Sequence, residues 1–77
     1  MEFGLDSLAP GMQAVVTRIG CPEALARRLA DFGLVEGTKV SCRYRSPGGG
    51  VFALELRGTV LAVRKSDLRQ IAARRLS

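Results

Sequence analysis

Apolar and polar positions alternate along most of this chain, and the period changes in one short stretch only. Gln13 to Ile19, QAVVTRI, is rich in β-branched residues and predicts a first strand entered through the Pro10-Gly11 turn. The period then lengthens. Leu25, Leu29 and Phe32 recur at i, i+4 and i+7, one apolar stripe of a short helix. Cys21 is the expected N-cap, Pro22 the first helical residue, and Glu23 suits the positive end of the helix dipole. Gly33 is the expected left-handed stop, with Leu34 folding back onto the last turn.

Past the Glu36-Gly37 turn the period returns to two. KVSCRYR predicts a strand with Val40, Cys42 and Tyr44 facing the core and Lys39, Ser41, Arg43 and Arg45 facing water. Ser46 to Gly50 is a hairpin loop. Val51 to Leu56 returns as a strand, Arg57-Gly58 forms a tight turn, and Thr59 to Arg64 makes the fourth strand. Ser66 is placed to cap one short turn, and Ile71 to Ala73 closes as a fifth strand. The pattern predicts an all-β fold: a small barrel of five short strands, with one short helix after the first strand covering an open end. There is no internal repeat and no linker, so residues 1–77 are expected to form one domain.

Composition narrows what such a barrel can do. The 77 residues carry a net charge of +5, which favours acidic partners. Four rings in all, none adjacent, give poor stacking platforms for single-stranded nucleic acid. No run approaches the length needed to span a bilayer or to act as a secretion signal, so the expected compartment is the cytoplasm. Cys21 and Cys42 lie far apart and the chain has no histidine, which leaves no zinc-ligand spacing and no disulfide framework. No nucleophile sits beside a base and no phosphate-cradling GxxxxGK[ST] loop occurs, so neither an enzyme nor a cofactor site is expected. Any metal would have to use scattered carboxylates or a lone thiol; an ion shared between molecules at the surface stays open.

Two adjacent arginines open the question of a binding patch. On a helix Arg27 points away from the apolar stripe, between Glu23 and Asp31 at four-residue spacing, and is thereby partly neutralised. Arg28 borders the stripe and is expected to lay its stem on the core and reach carbonyls of a nearby loop. The better partner surface is the basic strand face of Lys39, Arg43 and Arg45, joined by Arg57 and Arg64. A merely solvated face that keeps strand edges soluble is the alternative. Cys21 at a helix N-terminus could carry a lowered thiol pKa, although a small capping role accounts for it more simply.

Leu5, Leu8, Gly11, Val15, then RRLADFGLVEG with Arg28, Leu29, Gly33, Leu34 and Gly37, then GTVLAVRKSDLRQI, form an ordered succession that resembles the FeoA family. The resemblance covers nearly the whole chain. It implies an SH3-like barrel and a non-enzymatic accessory role in bacterial ferrous iron uptake, beside the cytoplasmic GTPase-containing region of the FeoB transporter. Phe32 stands where the family often has Met, a packing substitution. Under the resemblance no nucleic-acid partner is expected, and self-association is left open. A basic barrel that binds nucleic acid, or a relative of the C-terminal domain of iron-dependent repressors, is the competing reading.

Overall fold

The computed structural model describes residues 1–76. Six strands form one antiparallel sheet: β1 (Glu2–Gly4), β2 (Gln13–Ile19), β3 (Lys39–Arg45), β4 (Val51–Leu56), β5 (Thr59–Arg64) and β6 (Ile71–Arg75). Their order across the sheet is β1-β6-β2-β3-β4-β5, so β1 and β5 are its edges. Principal extents of 28, 24 and 23 Å show that the sheet is rolled around its core instead of lying flat. Helix α1 (Glu23–Asp31) joins β2 to β3, and a single turn, α2 (Lys65–Leu68), joins β5 to β6.

The sixth strand is the one the sequence pattern does not reveal. β1 has three residues, too few to show a period, and it pairs with the distant β6 through Phe3 and Ala73. The segment after it makes a short 3-10 turn that buries Leu5 and Leu8 completely. These two leucines join Phe52, Leu54 and Leu56 of β4, Val40 and Cys42 of β3, and Ile71 and Ala73 of β6 in the core. Burying side chains of this size stabilises by about 1.5–3 kcal/mol each, and it is what holds so small a sheet in a rolled form.

Helix α1 ends where the sequence predicted, and by a fully formed motif. Gly33 has φ +91°, its N–H donates to Ala30 O (2.9 Å), and the Leu34 N–H donates back to Leu29 O (2.9 Å). This is the Schellman pattern, in which two orphan carbonyls of the last turn are satisfied and the residue after the glycine folds onto the helix. Leu29 and Leu34 are accordingly both buried. Thr38 completes the corner: its hydroxyl donates to Gly33 O (2.7 Å) and accepts from the Val35 N–H (3.2 Å). Among the described residues Thr38 is the buried polar residue of the core, and no periodic pattern singles it out.

Three local expectations fail at element ends. Pro22, not Cys21, occupies the N-cap position, and no side chain caps the helix; the Cys21 sulfur instead lies 3.9 Å from Asp67 O. Ser66 caps nothing, since α2 starts one residue earlier at Lys65. Phe32 is 53% exposed, because the helix ends at Asp31 and the chain turns away before the third stripe position reaches the core.

Candidate functional site

Whether the five predicted basic residues form one surface depends on a single irregularity in β3. Ser41 and Cys42 pair with Glu55 and Leu54, but Tyr44 pairs with Ala53 and Arg45 with Phe52, so Arg43 is an extra residue in the ladder. Such a β-bulge reverses the in–out alternation beyond it. Tyr44, expected in the core, is therefore 56% exposed. Arg45, expected in water, turns inward. Its Nε and Nη2 donate to Leu8 O at 3.1 and 2.7 Å, and its guanidinium lies 4.6 Å over the Phe52 ring. Arg45 thus ties the N-terminal segment to the barrel by a charge-assisted pair of hydrogen bonds and a cation–π contact.

The other four cations divide between two regions. Arg43 pairs with Glu55 across the strands (2.9 Å), on the outer face. Arg64 lies on the far edge strand, 3.9 Å from Asp67. Lys39 and Arg57 both line a shallow cavity of about 240 Å³, together with Gln13, Ser41 and Glu55. The predicted face therefore splits: Lys39, Arg57 and the Arg43–Glu55 pair share one region, Arg64 belongs to another, and Arg45 is withdrawn.

Arg57 stands in an unusual backbone. With Gly58 it makes a two-residue turn in which both residues have positive φ (51° and 76°), joining the paired residues Leu56 and Thr59. Such hairpin turns favour Asn-Gly, and an ordinary L-residue held there costs about 1–2 kcal/mol. The stem of Arg57 runs back over the end of α1, where a Cβ on Gly33 would lie 3.1 Å from Arg57 Cδ. A cation placed there complements the negative end of the helix dipole.

Arg28 does not behave as the helix pattern predicts. It is exposed, and among the described residues it makes no hydrogen bond to a loop carbonyl. It stands on the rim of a second groove of about 170 Å³ between α1 and β5, lined also by Leu25, Phe32 and Leu61. Arg27 pairs with Glu23, as its spacing predicts, while Asp31 takes no part in an ion pair among the described residues. The Cys21 thiol is pushed up from its ordinary value by burial and then by the nearby Asp67 carboxylate, so the lowered pKa that a helix N-terminus invites is not found. Among the described residues no three His, Cys, Asp or Glu side chains gather as metal ligands, and no helix is long and apolar enough to cross a membrane.

The small, rolled antiparallel sheet of this chain is that of the SH3-like barrels, the class its structural matches share. The family model described as the FeoA domain matches residues 3–75, and the chain belongs to that family. No curated protein matches it significantly. Among solved structures it is similar to the FeoA protein from Chlorobium tepidum, at 31% identity and a TM-score of 0.93, over 97% of this chain and 71% of that one. It is also similar to FeoA from Stenotrophomonas maltophilia complexed with zinc, at 28% identity and a TM-score of 0.79, over 92% of this chain and 88% of that one. That protein is described as a prokaryotic SH3 domain protein and suggested to act as a ferrous iron transport activating factor. A manganese-dependent transcriptional repressor shares the fold, at 16% identity and a TM-score of 0.87, over 97% of this chain and 42% of that one. Family membership connects the chain with ferrous iron transport.

Proposed function

We propose that this protein is a cytoplasmic, non-catalytic accessory component of ferrous iron uptake that docks on the cytoplasmic, GTPase-containing region of a FeoB-type transporter. The observation that carries the reading is the FeoA-domain match over residues 3–75. The exposed cations support one surface for this docking. Lys39 and the Arg43–Glu55 pair are exposed or half-exposed on the outer side of β3 and β4, and Arg57 is exposed in the adjoining turn. Charges of this kind steer association and set its salt dependence more than they set tight affinity.

The test is a binding titration of the whole chain against a transporter's purified cytoplasmic region across a salt series. Saturable binding that weakens as salt rises supports the reading. Absence of binding at low salt, together with tight duplex or RNA binding in a gel shift, would instead favour the nucleic-acid reading. The repressor-like fold supports a second reading, a relative of repressor C-terminal domains, and in that case a repressor's DNA-binding domain would capture this chain where the transporter region does not.

A further inference from the structure

The outer face of β3 carries one arrangement that the strand ladder does not explain. Continuing the Ser41–Glu55 register by two residues sets Lys39 opposite Arg57, at the point where the ladder gives way to the tight turn. Like charges brought close at the end of a ladder repel one another. Neither side chain has an ion-pair partner among the described residues, and the one carboxylate in the cavity, Glu55, is engaged by Arg43.

Arg57 adds a second cost, because its backbone is held at φ 51° in a turn where Asn would sit without strain. A residue kept in an unfavourable backbone region is a pointer to function when its neighbours give it chemistry to do. Here they do. Lys39 and Arg57, neither of them in an ion pair among the described residues, line a cavity of about 240 Å³ together with Ser41, Gln13 and the Arg43-paired Glu55. Cations with neutral donors between them are the donor set of an oxyanion site. The volume lies below the range of about 300–1,000 Å³ usual for whole drug-sized ligands, so the site suits one charged group with a short attachment.

We propose that Lys39 and Arg57, with Ser41 and Gln13 between them, form a binding site for a phosphoryl group, presented by a small soluble phosphate ester or by a lipid headgroup. The bound dianion would neutralise the opposed cations. The site does not depend on transporter docking and is tested on the free chain.

The experiment follows backbone amide shifts on adding inorganic phosphate, against sodium chloride at matched ionic strength. The expected result is a saturable response confined to residues 39–41 and 56–58, absent with chloride. Arg57→Asn should weaken phosphate binding by about tenfold or more with the fold intact, since the strain Asn relieves in the turn offsets the loss of the arginine stem over α1. Lys39→Gln, at an exposed position that bears no strain, should weaken it similarly with the fold intact. A phosphate response no larger than that of chloride, or wild-type binding by both variants, would overturn the site. Cosedimentation with phosphatidylcholine vesicles containing phosphatidic acid identifies a lipid headgroup if Arg57→Asn abolishes it; binding of free phosphate without cosedimentation identifies a soluble ester.

Discussion

The corner from Glu23 to Thr38 and the hairpin from Lys39 to Leu56 are neighbours in sequence, yet they are held in opposite ways. The end of α1 is closed by hydrogen bonds between residues at most five apart, with the Gly33–Leu34 turn and Thr38 in one local network, and only Gly37 and Thr38 reach back to Val16 of β2. The hairpin is fixed from far away: Arg45 is held by Leu8, 37 residues distant in sequence. What that contrast teaches is where reading by period holds. It holds where the determinants are local and fails where a single extra residue in a ladder, Arg43, reverses the faces beyond it.

The sharpest disturbance of the hairpin is Phe52→Ala. It empties a core position that is 1% exposed and removes the ring beneath Arg45; about 3–5 kcal/mol of stability should be lost in urea denaturation. The corner should break at Gly33. Gly33→Val forces a β-branched residue to φ +91° against Arg57 Cδ, and a loss of about 2–3 kcal/mol is expected in the same assay. A neutral Gly33→Val would show that the corner tolerates another ending.

The two arginines flanking the bulge give a finer comparison. Arg45→Met keeps an apolar stem over Phe52 but leaves Leu8 O without its donors, so about 1–2 kcal/mol should be lost. Arg43→Met removes only an outer-face ion pair and should change stability by less than about 1 kcal/mol. Equal effects would mean that the bulge does not separate the two side chains.

The smallest effect concerns Cys21. A thiol whose folded pKa is raised favours the protonated form, so its contribution is fully present below the unfolded thiol's pKa and is lost as pH rises through the folded value. Cys21 should therefore alkylate more slowly with iodoacetamide near pH 8 than a free peptide thiol, whereas faster reaction would restore the activated thiol of a helix N-terminus.

The strands from Gln13 onward, the α1 stop at Gly33 and the Arg57-Gly58 turn were legible because each has a local signature: a two-residue period, a glycine after an apolar stripe, and an arginine-glycine pair between alternating runs. β1, the burial of Leu5 and Leu8, and the inward turn of Arg45 were not, because each depends on a distant partner that no window of sequence contains. Of the basic residues, spacing placed Lys39 and Arg43 on the outer face. That Lys39 and Arg57 meet around one cavity follows from the β3–β4 register, which a single strand read alone does not fix. Arg28 shows a different failure. Its place beside the apolar stripe was legible, but the groove beneath it exists only because β5 lies alongside α1.

The proposed docking surface for a transporter's cytoplasmic region is the outer face of β3 and β4 with the turn that carries Arg57. The most direct test is the affinity of that region for the double variant Lys39→Glu, Arg57→Glu, measured beside its melting temperature. A loss of about tenfold or more in affinity, mainly through slower association, is expected with the fold intact. Wild-type affinity in a folded double variant would contradict it.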